Sequence, residues 1–129
     1  MILLDTHVLV WAVAEPKRLS RAATSAIARA RKGSGLAIAA ITLWELAVLV
    51  SRGHIRAYGT LDASLRLLTE GLAVVPLTAE IAALAAEFPA DYPSDPADRL
   101  IGATARAEGI ALVTRDRKIQ ESPLLQTIW

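Results

Sequence analysis

Four short apolar runs constrain this chain more than any other feature: residues 2–4, 36–40, 72–75 and 110–113. None of them alternates apolar with polar residues, so each reads as a strand buried on both faces. Between them lie helical segments. Residues 6–14 form an apolar helix with Thr6 as its N-cap and Pro16 just beyond its end. Residues 20–32 are rich in Ala and Arg, start at Ser20 and stop at Gly33-Ser34-Gly35. Thr42 and Glu45 have the spacing of a capping box opening a helix to about Arg52. Further helices are expected over 61–70, 78–88 and 95–108, the last with Asp95 as cap and Pro96 at its first position. A short edge strand is expected over 124–128.

Strand and helix thus alternate from end to end, which predicts a three-layer α/β/α sandwich around a parallel sheet of four to five strands. No repeat, low-complexity segment or linker divides the chain, so residues 1–129 read as one domain. The 53% hydrophobic composition suits an aliphatic, alanine-rich core. The absence of cysteine excludes a thiol nucleophile, disulfides and Cys-ligated zinc.

Fourteen basic residues against thirteen acidic ones give a net charge of +1, too little to bind nucleic acid by overall charge. Basic residues do cluster locally, at 17–21, 29–32 and 115–118. The start, Met1 to Asp5, lacks the basic flank and cleavage site of a signal peptide. The longest apolar run, residues 36–50, is too short for a membrane span and is interrupted by Glu45. The expectation is a cytoplasmic protein.

In an open parallel sheet, ligands bind beyond the carboxyl ends of the strands. Asp5 directly follows the first strand, and Asp116 lies just past the fourth. Glu45 is expected in the first turn of the helix after the second strand. Asp95 and Asp98 open the helix preceding the fourth strand, which runs antiparallel to the sheet and so starts at the same edge. Each acid also has a plain structural role open to it: a capping-box partner, an N-cap, an N-terminal dipole partner, a turn former. Asp5 gains least from such a role. Carboxylates gathered at one edge repel unless a cation neutralises them, and hard divalent ions with oxygen ligands are the natural solution. His7 and His54 read as a packed and a surface histidine rather than as ligands. An acidic metal cluster suits phosphoryl chemistry. Neither GxxxxGK[ST] nor GxGxxG occurs, which disfavours a nucleotide-cradling ATPase or dehydrogenase.

The stretches "LLDTHVLVW", "ITLWELAV", "DPADRLIGATARAEG" and "LVTRD", in that order over essentially the whole chain, resemble the PIN-domain ribonucleases, and most of all the VapC toxins of type II toxin–antitoxin pairs. The resemblance implies a Mg²⁺- or Mn²⁺-dependent endoribonuclease with Asp5, Glu45, Asp98 and Asp116 as catalytic acids. Of these, Asp5, Asp98 and Asp116 hold the metal. It adds Asp95 as an accessory acid and Thr114 as a hydroxyl beside the last one. It further implies an RNA substrate, with transfer or ribosomal RNA favoured, a homodimer and an inhibiting VapB-like antitoxin. Arg99, Arg115, Arg117 and Lys118 are candidates for holding RNA phosphates. Tyr92, Ala97 and Thr104 depart from the family pattern without removing a carboxylate. The rival readings are a non-catalytic PIN-fold binding module and a receiver-like signalling domain. The receiver reading suffers because the third strand runs into Val75-Pro76-Leu77 with no phosphoacceptor Asp.

Overall fold

A computed structural model describes all 129 residues, Met1–Trp129. Five strands form one parallel sheet: β1 (Ile2–Leu4), β2 (Leu36–Ala39), β3 (Ala73–Val75), β4 (Leu112–Val113) and β5 (Thr127–Ile128). Their order is β3-β2-β1-β4-β5, so the chain winds outward from β1 in both directions. Seven helices connect them: α1 (Thr6–Ala14), α2 (Arg21–Lys32), α3 (Ala40–Ser51), α4 (Leu61–Leu68), α5 (Ala79–Glu87), α6 (Pro96–Glu108) and α7 (Arg117–Glu121). No helix is long and apolar enough to cross a membrane.

The period-two alternation of strand side chains divides the core into two layers. Leu4, Leu36, Ile38 and Val113 pack with Val8, Leu9, Ala23, Ile27 and Leu46 of α1, α2 and α3. Their neighbours Leu3, Ala37, Ala39 and Leu112 point the other way, onto Ile81, Ala85, Ile101, Ala105 and Ile119 of α5, α6 and α7. Every central strand position is therefore apolar because both sheet faces are covered, and the expected three-layer architecture is present.

Several local expectations are corrected. The cap of α1 is Asp5, not Thr6: Asp5 Oδ1 accepts from the Thr6 N–H at 2.8 Å. Thr42 and Glu45 form no capping box. Strand β2 passes into α3 at Ala39–Ala40 without a loop, and the helix has begun before Thr42 is reached. Glu45 consequently sits in the second turn, and both side chains are free to bond elsewhere. Asp95, Ser20 and Thr78 do cap α6, α2 and α5. A 3-10 turn at Pro16–Arg18 and the five-residue α7 lie in stretches read as connections. His7 is exposed rather than packed, whereas His54 is exposed as expected.

Arg99 is also placed differently. Its Nη1 donates to the carbonyls of Ala85 (3.1 Å) and Phe88 (2.8 Å), and its Nη2 to that of Pro89 (3.1 Å). The guanidinium satisfies the acceptors left over where α5 ends, and it ties that end to α6. It pairs with no carboxylate, and three of its N–H donors are engaged by backbone carbonyls.

Candidate metal centre and active site

The carboxyl edge of the sheet carries a depression lined by Asp5, His7, Trp11, Glu45, Asp95, Asp98, Arg115 and Asp116. All five acids singled out in the sequence are thus brought to one place. They line a shared wall, and no three of them close into a ligand cluster. A larger hollow elsewhere contains none of these five.

Asp5 is fixed most firmly. It is buried, its Oδ1 accepts from the Thr6 N–H, and its Oδ2 accepts from the Thr114 hydroxyl at 2.7 Å. Thr114, itself fully buried at the end of β4, also accepts from the Asp116 N–H at 3.1 Å. One hydroxyl therefore couples the acid after β1 to the acid after β4. Asp116 in turn accepts from the Ile119 N–H at 3.2 Å and caps α7. The two strand ends are neighbours in the sheet, so this coupling follows from topology.

Glu45 is reached from α1. The Thr6 hydroxyl donates to Glu45 Oε1 at 2.6 Å and lies 3.0 Å from the hydroxyl of the fully buried Thr42. With the Thr6 proton on Glu45, the Thr42 hydroxyl is the donor to Thr6. Thr6 thereby touches two acids, Asp5 through its backbone and Glu45 through its side chain. Residue reading missed this pair. A signal existed in two threonines on otherwise apolar helices, each needing a buried partner.

Asp98 differs from the others. Asp95 accepts from the Ala97 N–H at 2.8 Å and is occupied as a cap. The Asp98 carboxylate, half-buried in the first turn of α6, has no hydrogen bond to hold its charge. Burial is the largest cause raising its pKa, followed by the charges of Asp5, Asp95, Asp116 and Glu45, which together push it up to about 7. Asp5 and Glu45 are raised as well, again chiefly by burial, and are held back by the hydroxyls of Thr114 and Thr6 respectively. Three carboxyl groups in one depression thus resist ionisation. Arg115 lines the same depression yet makes no ion pair: the two pairs in the structure are Arg18–Glu15 and Arg66–Asp62, both on the surface. No ion pair compensates the negative charge here, and the five carboxylates give the wall mainly hard oxygen donors, with His7 its one imidazole. A donor set dominated by carboxylates fits a hard divalent cation such as Mg²⁺ or Mn²⁺.

The sequence matches the PIN domain family over residues 2–123. It is 43% identical over 130 residues to the protein named Ribonuclease VapC22 of Mycobacterium tuberculosis, covering 99% of this chain and 98% of that one. Among solved structures, VapBC2 from Rickettsia felis, bound to a DNA fragment from its promoter, superposes with a TM-score of 0.76 at 23% identity, over 98% of this chain and 97% of that one. DNA-bound VapBC from Salmonella typhimurium gives a TM-score of 0.72 at 21% identity, over 98% and 97% of the two chains. The structural likenesses carry the fold, and the full-length sequence match carries the kinship: the chain belongs to the PIN-domain family, in its VapC ribonuclease branch.

Proposed function

We propose that this chain, acting as a single PIN-like domain over residues 1–129, is a Mg²⁺- or Mn²⁺-dependent endoribonuclease and the toxin of a VapBC-type pair. Its site of action is the cytoplasm. It works as a homodimer and is silenced by a VapB-like antitoxin. The observation that carries the reading is the half-buried Asp98 carboxylate, free of hydrogen bonds and raised to about 7, first by burial and then by four surrounding acids. Such a group calls for a cation. The kinship with a named VapC ribonuclease supports RNA as the substrate, with transfer or ribosomal RNA favoured.

Asp5, Asp98 and Asp116 hold the ion. When bound, it supplies neutralisation of the scissile phosphate and activation of a water for attack on phosphorus. Thr114 fixes the Asp5 carboxylate and the Asp116 backbone in one mutual orientation. Glu45 remains beside the site with one oxygen tied to Thr6. Its other oxygen is available to orient the attacking water and take its proton. Burial raises the pKa of Glu45, which makes it a stronger proton acceptor than an unperturbed carboxylate.

The test is incubation of the purified protein with total cellular RNA in Mg²⁺, in Mn²⁺ and in EDTA, followed by mapping of the new ends. Discrete internal cuts that need the ion and vanish in Asp98→Asn are expected. Cleavage that persists in EDTA would refute the metal site.

A further inference from the structure

Beside the acidic depression lies a second hollow lined by Arg18, Leu19, Ser20, Arg115 and Trp129. Arg115 belongs to both. The two hollows therefore adjoin, and the charge of their walls reverses from acidic to basic across one side chain.

The basic side is built on Trp11. The Arg18 guanidinium lies 4.6 Å from the Trp11 ring centroid and that of Arg115 lies 5.5 Å from it. The Trp129 ring packs against the same indole at 6.0 Å. Trp11 is itself buried in α1, so it is a fixed support, and its ring orients two planar cations beside the hollow. Two guanidinium groups against one ring repel each other. Glu15 offsets Arg18 at 3.3 Å, but no carboxylate pairs with Arg115. A hollow with two oriented guanidinium groups, one of them unpaired, fits a phosphate. The partly exposed Trp129 ring at its rim fits an unstacked base.

We propose, on the footing of the nuclease reading above, that this hollow is the subsite for the nucleotide neighbouring the cut. Arg18 and Arg115 clasp its phosphate and Trp129 stacks its base. The acidic centre takes the scissile phosphate, Arg115 marks the boundary, and the adjoining nucleotide continues into the basic hollow. Stacking on Trp129 requires a base that is not already in a helix, so the subsite selects RNA unpaired beside the cleavage point. Specificity for single-stranded or looped RNA is thereby built into residues outside the acidic cluster.

The experiment uses the whole chain with a mixed-sequence single-stranded oligoribonucleotide and the same sequence as a duplex. Binding is followed by fluorescence anisotropy in EDTA across a salt series, and cleavage by steady-state kinetics in Mn²⁺. Arg18→Gln should weaken single-strand binding roughly fivefold to tenfold and lower the salt slope by about one. In cleavage it should raise KM more than it lowers kcat. Trp129→Ala should narrow the preference for single strand over duplex by roughly tenfold. Trp129→Phe keeps an aromatic ring against Trp11 and should retain most of that preference, which separates stacking from loss of fold. If wild-type protein cleaves RNA while Arg18→Gln and Trp129→Ala bind and discriminate as it does, the subsite is overturned and the nuclease reading stands. If wild-type protein neither binds nor cleaves RNA, both fall together.

Discussion

The hydroxyl of Thr114 donates to Asp5 Oδ2 at 2.7 Å across 109 positions of sequence, and the same oxygen accepts from the Asp116 N–H. A single buried atom thus sets the distance between the acids that end β1 and follow β4. Thr114→Val preserves shape but leaves Asp5 without this donor and the Asp116 amide without its acceptor. Loss of such an orienting partner typically lowers metal affinity or activity ~10–100-fold, and the unpaired buried groups cost about 1–3 kcal/mol. Thr114→Ser should restore both. The checks are Mn²⁺ titration by calorimetry and a urea midpoint. A Val variant with unchanged metal affinity would show that the hydroxyl serves stability alone.

Asp98 gives the protein a distinctive pH response. Its carboxyl is pushed up to about 7 in the folded chain, against 3.8 when unperturbed. Between those values the folded state keeps a proton that the unfolded state has lost. Its contribution to stability is therefore complete below about pH 4 and is lost as pH rises through about 7. Asp5 and Glu45 are shifted in the same direction. In EDTA the melting temperature should fall between pH 5 and pH 8, and adding Mg²⁺ at pH 8 should recover much of the loss. Asp98→Asn should flatten that slope, melt higher than wild type at pH 8 and cleave RNA at least ~100-fold more slowly, the scale of losing one charged group at a transition state. A metal-free protein that melts higher at pH 8 than at pH 5 would contradict this account.

Much of this was legible beforehand because it depends on periodicity and order. Three of the four apolar runs are doubly covered strands, while the third forms the edge strand β3 with Ala73 and Val74 exposed, and the parallel winding sends Asp5, Asp98 and Asp116 to one edge. What escaped the sequence depends on where elements join. Because β2 enters α3 with no loop, Thr42 and Glu45 lie inside the helix, and the capping-box pattern they spell is unused. Arg99 follows a site acid directly, yet the helix turns it away to the end of α5. A linear pattern carries neither fact. The Thr6–Glu45 bond joins two helices that only the folded sheet makes adjacent.

Asp95 and Asp98 should separate cleanly by mutation. Asp95 is exposed and its Oδ1 is engaged with the Ala97 N–H, so Asp95→Ala removes a cap worth about 0.5–2 kcal/mol. Asp95→Asn and Asp95→Ser retain a capping oxygen and should regain most of that stability by thermal melt. Cleavage by the folded fraction should stay within a few-fold of wild type. An Asp95→Asn protein that is fully stable but inactive would move Asp95 among the metal ligands.

Arg99→Ala should behave as a stability mutant despite its position beside Asp98. Three carbonyl acceptors lose their partner. Hydrogen bonds from a charged donor are worth ~1.5–3 kcal/mol each when well shielded, and this side chain is partly exposed, so a total near 2 kcal/mol is expected. The loss should appear in the urea midpoint, while RNA affinity at low denaturant stays near that of wild type. A salt slope reduced by one without a change in midpoint would return Arg99 to the RNA-binding surface.

Gly102 and Tyr92 hold the loop that delivers Asp98. Tyr92 is buried edge-on against Phe88 at 4.7 Å, and its hydroxyl makes a long hydrogen bond, 3.4 Å, to the Asp98 carbonyl. Its ring lies directly over Gly102, where an added Cβ would overlap the phenol oxygen and come within 2.9 Å of the carbon bearing it. Gly102→Ala must therefore displace Tyr92, with a strain of roughly 1–3 kcal/mol. The displacement is passed to the start of α6 and so to the Asp98 carboxylate. Both stability and Mn²⁺ affinity should fall. Tyr92→Phe removes the overlapping oxygen, so the double variant Tyr92→Phe/Gly102→Ala should be more stable than Gly102→Ala alone, though less than Tyr92→Phe alone because the ring carbon is still too close. This non-additivity is the signature of two residues sharing one space. Strictly additive melting temperatures would mean that the loop yields freely and that Tyr92 does not position Asp98.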